Sequence, residues 1–474
     1  MTNRPEETAI KCRGLNFRYD KKKPPLLNNV SFEIEKGEVV VLMGPSGCGK
    51  STLAYCLAGL YPEYAGMLEG EIHVGDTPIG SLSPSLRARR ISIMFQNPDN
   101  QFCMGRVDHE VMFSLENINY TGDMQARMHE LLQMVGLLEM EKSPIHQLSG
   151  GMKQKVALAT ALATGAEVLV LDEPFANVDP NACLELAEKL KELNRTGITL
   201  FIVDHRLKYW RSFLTRVMLM DTGGRINEAN ISPDNLDKYK TIFHERGLFF
   251  DREWYKDITP PPSPAKTTEN NIELENLSVS YGSKKVLSAV SLTVQKGSVV
   301  ALTGDNGSGK STLLWAIAGL KRNRGHLNVT GKVGLVFQNP RAQFLTLKVR
   351  EEILLTLKSL GVVDEKEETA NALLDEFGLL TYADTSPYTL SQGQQRRLAI
   401  LTIIAGKRPI LLLDEPTYAQ DEQATRFILE LLREHVSNGL TVIFATHDHE
   451  LAHYYANRVL TLENGGIAKD KWIN

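Results

Sequence analysis

The chain has 474 residues, 42% hydrophobic and 23% charged, with a formal net charge of −4 and a pI near 6.3. That length asks for more than one domain, and the composition is that of a core-forming protein. The mild acidity gives no electrostatic footprint for nucleic acid, no apolar run reaches the about 18 residues of a membrane span, and "MTNRPEETAIK" has no apolar signal-peptide core. Cys12, Cys48, Cys56, Cys103 and Cys183 form no CxxC pair. They indicate neither a disulfide framework nor a zinc site, and the cytoplasm is the expected compartment.

Taken in chain order, "GEVVVLM" reads as a buried strand running into a glycine-rich loop, "GPSGCGKST", and a helix, "KSTLAYCLAGL". "FQNP" begins at Phe95 and "LSGG" at Leu148; two buried strands follow, in "EVLVLDEP" and "ITLFIVDH", the second ending at His205. Residues 215–256 read as a terminal extension of the first half, and "DITPPPSPAKTTENN" over 257–271 as an exposed, semi-stiff connector. The pattern then returns: "ELENLSVSY", "GDNGSGKST", "FQNP" at Phe337, "LSQG" at Leu390, "PILLLDEP" and "LTVIFATH", ending at His447. The glycine-rich loops are offset by 260 residues and every later motif by 242, so the second copy lacks 18 residues between loop and "FQNP". Strands and turns, but no motif, are expected to be missing there. Apolar strands flanked by helices predict an α/β fold with a mostly parallel, doubly covered sheet in each half. The expected domains are 1–256 and 272–474, on either side of the connector.

Both loops fit the pattern G-x-x-x-x-G-K-[ST]. Glycines let backbone N–H groups curl round phosphate oxygens, and the helix that follows adds its dipole. The first cradle is Gly44, Pro45, Ser46, Gly47, Cys48, Gly49, Lys50, Ser51 and Thr52. The second is Gly304, Asp305, Asn306, Gly307, Ser308, Gly309, Lys310, Ser311 and Thr312. Lys50 and Lys310 reach for the β/γ-phosphates of ATP, and Ser51 and Ser311 for Mg²⁺. Cys48 is either a blockable thiol or simply a small side chain, the plainer reading. Asp172 and Asp414 end buried strands, where a carboxylate needs a cation such as Mg²⁺. Glu173 and Glu415 follow them and are the candidates to orient or deprotonate an attacking water. His205 and His447, in identical register, are candidate γ-phosphate sensors.

On these motifs each half resembles an ABC-transporter nucleotide-binding domain. The resemblance implies two tandem P-loop ABC ATPase domains, each with a parallel-sheet core, an antiparallel β subdomain and a helical signature subdomain. It implies that Tyr19 and Tyr281 stack on adenine, although ordinary strand packing would also explain them. It makes Gln96 and Gln338 Q-loop residues near Mg²⁺ and the attacking water, and Asp179 and Asp421 D-loop aspartates. It pairs the halves head to tail within one chain. Ser391, Gly393 and Gln394 then complete the first nucleotide's shell, and Ser149, Gly150 and Gly151 the second's. Gln392 stands where the first copy has Gly150, a position expected to tolerate a side chain.

"FQNPDNQF" and "FQNPRAQF" resemble the ATPases of energy-coupling factor importers of vitamins and metals, and the fusion resembles their thiamin-precursor type. The implied partners are an integral membrane coupling protein and a small substrate-binding membrane subunit, with the chain peripheral on the cytoplasmic face of the cell membrane and no nucleic acid bound. Asp99 and Glu110 are expected to meet one coupling-helix arginine, and Glu351 or Glu352 another; Arg341 replaces Asp99 in the second half. The alternatives are a tandem sugar-importer ATPase and a soluble ribosome-associated ABC ATPase. Against the latter stand the short proline-rich connector and the lack of clustered N-terminal cysteines.

Overall fold

A computed structural model describes residues 7–473 apart from 176, 177, 179, 252, 265–268, 362–365, 418 and 419. It divides into two compact units, Met1–Asp251 and Arg252–Asn474.

In the first unit β1 (Thr8–Arg18) and β2 (Leu27–Glu35) pair antiparallel, and β3 (Val39–Met43) leads to α1 (Lys50–Leu57). Then come β4 (Met67–Val74), β5 (Thr77–Pro78), α2 (Pro84–Arg90) and β6 (Ile91–Met94). Helices α3 (Val107–Asn117), α4 (Met124–Met134) and α5 (Gly150–Ala163) precede β7 (Val168–Asp172), α6 (Pro180–Arg195) and β8 (Thr199–Val203). The unit ends with β9 (Arg216–Met220), β10 (Ile226–Ile231) and α7 (Lys240–Glu245). One sheet is antiparallel, in the order β2-β1-β4-β5. The other, β10-β9-β3-β8-β7-β6, is parallel except at the β10–β9 edge. Every residue of β3, β7 and β8 is buried, because both faces of the parallel sheet are covered, as unbroken apolar runs require. The terminal extension folds back onto this core through Leu236, Phe243, Leu248 and Phe250.

The second unit repeats the plan: β11 (Asn270–Tyr281), β12 (Lys284–Gln295), β13 (Val299–Thr303), α8 (Lys310–Ile317), β14 (Arg324–Val329) and β15 (Val333–Val336). After α9 (Val349–Ser359), α10 (Lys366–Glu376) and α11 (Gln392–Ala405) come β16 (Ile410–Asp414), α12 (Glu422–Ser437) and β17 (Thr441–Ala445). It closes with α13 (His449–Tyr455), β18 (Arg458–Glu463) and β19 (Gly466–Trp472). Its sheets run β12-β11-β14 and β15-β16-β17-β13-β18-β19. The missing residues correspond to β5 and α2, so a helix is lost as well as a strand and turns.

The residues after Asp251 belong to the second unit. Trp254 and Tyr255 are buried. Within the expected connector Pro261 is buried too, and the Pro262 carbonyl accepts from Asn457 Nδ2 at 3.3 Å. Among the described residues no helix is long and apolar enough to cross a membrane.

Candidate nucleotide-binding sites

Each glycine-rich loop joins a buried strand, β3 or β13, to the first turn of α1 or α8. The residue before each helix, Gly49 or Gly309, has φ of +106°. A side chain there would be strained, and its Cβ would sit 2.9 Å from Leu27 Cδ2 or 2.6 Å from Leu287 Cδ2. Lys50 Nζ donates to the carbonyls of Gly44 (2.7 Å) and Pro45 (2.9 Å), and Lys310 Nζ to those of Gly304 (2.6 Å) and Asp305 (3.1 Å). Each ammonium is thus held inside its own loop. Cys48 is buried, and burial pushes its thiol up, which makes it a small packing group rather than a reactive one.

Strands β7 and β16 deliver the carboxylates to the same end of the sheet. Ser51 Oγ donates to Asp172 Oδ1 at 3.0 Å. Burial first, and Glu173 second, push Asp172 up to about 7; burial likewise pushes Asp414 up to about 6, with Ser311 offsetting part of it. Glu173 and Glu415 both adopt left-handed backbone, with φ of 47° and 52°. Such strain in non-glycine residues persists where surrounding contacts impose it. Here their N–H groups donate to the Val203 and Ala445 carbonyls, at 2.8 and 3.0 Å. Glu173 Oε1 lies 2.8 Å from His205 Nε2, and Gln96 Nε2 donates to its Oε2 at 2.7 Å. Burial raises the Glu173 carboxyl, but His205, Lys50 and Gln96 outweigh it and hold it below the ordinary carboxylate range. In the second unit His447 Nδ1 lies 3.1 Å from Glu415 Oε1, so the two histidines present different ring nitrogens.

The signature serines cap helices. Ser149 Oγ accepts from Met152 N at 3.3 Å at the start of α5. Ser391 caps α11 in a reciprocal box with Gln394: Gln394 N donates to Ser391 Oγ at 3.3 Å, and Ser391 N to Gln394 Oε1 at 2.9 Å. Gln392 is exposed at the first helical position, whereas Gly393 is buried. A Cβ on Gly393 would lie 2.6 Å from Gln420 Oε1, and one on Gly151 would lie 3.2 Å from Ala182 Cβ. The second glycine of the motif is therefore the sterically restricted one.

Comparison with known proteins agrees with this geometry. The ABC transporter family model matches residues 27–176 and 287–418. This chain belongs to the ABC transporter family.

A Bacillus subtilis (strain 168) protein, provisionally named an HMP/thiamine import ATP-binding protein, is 34% identical over 98% of this chain and 91% of its own length. An ABC transporter ATP-binding protein, also provisionally named, of Methanosarcina acetivorans is 31% identical over 97% and 85%. Among solved structures, the RNase-L Inhibitor aligns with a TM-score of 0.63 at 20% identity, covering 97% of this chain and 91% of that one. A ribosome-bound archaeal Pelota and ABCE1 model aligns with a TM-score of 0.70 at 22% identity, covering 97% and 79%. At such identities these two report the fold alone. The tandem ABC chain is thus an ATPase with two nucleotide-binding domains.

Within this ABC ATPase the adenine-facing candidates differ. Tyr19 is half-exposed, and its hydroxyl lies 3.0 Å from Thr52 Oγ1. Tyr281 is likewise exposed, with the Lys321 ammonium 4.4 Å from its ring centroid. Asp179 lies outside the described residues; Asp421 caps α12 through Ala424 N at 2.8 Å.

The expected docking charges need correction. Glu110 is buried and accepts from Cys103 N (2.9 Å) and Met104 N (2.6 Å). Glu352, also buried, accepts from Leu345 N (2.6 Å), Thr346 N (2.5 Å) and Thr346 Oγ1 (2.9 Å). Both carboxylates fasten the loop after the Q-loop, because backbone donors there need acceptors. Asp99 is exposed but bridged to Lys153 at 2.7 Å, and Arg341 Nε donates to Gln395 Oε1 at 3.2 Å. Glu351 remains an exposed charge.

Sequence reasoning passed over several residues that shape the sites. Arg396, almost fully buried on α11, donates to the carbonyls of Phe337 (2.7 Å), Gln338 (2.6 Å) and Asp414 (3.3 Å). Its counterpart Gln154 reaches the Gln96 carbonyl at 3.4 Å. The pair of arginines heading the apolar run in "RRLAILT" was the available signal. Buried Asp204, in "VDHRLKYW", accepts from His205 N (2.6 Å), Arg206 N (3.0 Å) and Trp210 Nε1 (2.7 Å).

Proposed function

We propose that this ATPase energises an energy-coupling factor importer of a vitamin or metal micronutrient, peripheral on the cytoplasmic face of the membrane. It would be joined there by a membrane coupling protein and a small substrate-binding membrane subunit. The observation that carries the ATP-driven part is the convergence, in both halves, of a loop lysine, a buried aspartate and a glutamate–histidine pair. The narrower reading is supported by the two "FQNP…QF" segments and by the import named for the Bacillus subtilis relative.

In this reading Lys50 and Lys310 exchange loop carbonyls for β/γ-phosphate oxygens, and the Gly49 and Gly309 turns let backbone N–H groups follow. Ser51, Gln96 and Asp172 would hold Mg²⁺ in the first half, and Ser311, Gln338 and Asp414 in the second; the ion would supply charge neutralisation on the phosphates. The first set fits an oxygen-loving cation, since buried Asp172 Oδ2 has no hydrogen-bond partner among the described residues. Glu173, paired with His205, would orient the attacking water or accept its proton, with His205 fixing its angle. By the head-to-tail pairing that the resemblance implies, Ser149, Gly150 and Gly151, and Ser391, Gly393 and Gln394, would each complete the γ-phosphate shell of the other half's nucleotide. Closure on binding and opening on phosphate release then follow from contacts made and lost.

Affinity purification of the tagged chain from membranes tests the reading. Recovery of a polytopic coupling protein with a small membrane subunit, and ATP-dependent uptake in the reconstituted assembly, is expected. Recovery of ribosomes, or of a sugar-type permease pair, would overturn it.

A further inference from the structure

Each switch histidine has an aspartate beside it in sequence, and the two aspartates are held by different parts. In the first unit the brace is local. Asp204, the residue before His205, takes the His205 N–H on one oxygen and the indole N–H of Trp210 on the other. The second unit has Thr446 there, and the carboxylate moves to Asp448, after His447. Asp448 N donates to Thr446 Oγ1 at 3.0 Å, which closes a turn around His447. Asp448 Oδ1 caps α13 through Leu451 N at 3.0 Å, and Oδ2 accepts from the hydroxyl of Tyr255.

Tyr255 does not come from the switch loop. It belongs to the short stretch Glu253–Asp257 that opens the second unit, directly after the first unit ends at Asp251. That stretch is seated firmly. Trp254 and Tyr255 are buried, the Tyr255 ring stacks on Tyr454 at 6.3 Å, and Arg426 of α12 donates to the Trp254 carbonyl at 3.4 Å. A hydrogen bond to a carboxylate is worth more than a neutral one, and more again where water is excluded.

We infer that Tyr255 is a positioning residue for the second site: the segment joining the halves supplies the donor that sets the angle of His447 toward Glu415. The first site carries its own donor to the neighbouring carboxylate, Trp210. This rests on the reading of His447 as the group that orders glutamate, water and γ-phosphate.

The test uses the full-length chain, an azido-ATP probe and peptide mapping to report on each half separately. Binding is read without vanadate, and passage through hydrolysis as vanadate-dependent trapping of the nucleotide. For Tyr255→Phe we expect unchanged labelling of both halves without vanadate, and about ten-fold less trapping in the second half only. The thermal unfolding midpoint, measured in parallel, is expected to move little, because the ring stays packed. Equal losses in both halves would make Tyr255 a general structural residue and overturn the inference, as would undiminished trapping in the second half. Wild-type chain that trapped nucleotide in neither half would overturn the reading of the sites and the inference with it.

Discussion

Asp172 and Asp414 sit at ordinary positions in the motif but not at ordinary acidity: burial lifts them to about 7 and about 6. A cation must displace a proton from a carboxyl raised in this way. Apparent Mg²⁺ affinity should therefore rise with pH through about 6 to 7 and level off above. Titration calorimetry in buffers of different ionisation enthalpy should detect proton release below pH 7, and its absence would count against direct carboxylate ligation. At the signature, Gln392→Ala should change turnover by less than about two-fold, because the side chain is exposed. Gly393→Ala must displace the Gln420 carboxamide and should slow turnover clearly more in a steady-state ATPase assay. The loop lysines, the Asp–Glu pairs and the histidines were legible because each lies in one contiguous motif beside a buried strand. Glu110 and Glu352 were misread as docking charges. An acid in the first turn of a helix looks solvent-facing in sequence, and nothing local reveals which backbone donors curl toward it.

At the scale of elements, one carboxylate on α3 and one on α9 each fix the loop that follows a Q-loop. Glu352 holds three donors, so Glu352→Ala should destabilise the second unit by about 2–4 kcal/mol, with Glu352→Gln recovering part of the loss. Urea unfolding followed by intrinsic fluorescence would measure both. Helix α11 adds a second tie through Arg396, whereas α5 meets the first Q-loop segment through Gln154, Lys153 and Thr160. The covered parallel sheets were readable from apolar runs. The lost helix α2 was not, since a deletion names the missing residues but not their conformation.

For the molecule as a whole, the proline-rich stretch suggests a boundary after 256, yet the second unit begins at Arg252. Trp254 and Tyr255 sit only a few residues ahead of the prolines, and no sequence pattern says which half they pack on. A fragment spanning 252–474 should unfold at higher denaturant than one spanning 270–474, by about 2–5 kcal/mol for the two buried aromatics. Equal midpoints would mean the stretch adds nothing to that unit. The two loop lysines, each bonded to its own carbonyls, have a consequence for which anions the molecule admits. An incoming anion must break two bonds in a half before it gains its first. A lone phosphate group does little more than exchange like for like, while a triphosphate brings further contacts along the loop and helix. The loop lysines would thus favour polyphosphates over inorganic phosphate, in a cell where the latter is always present.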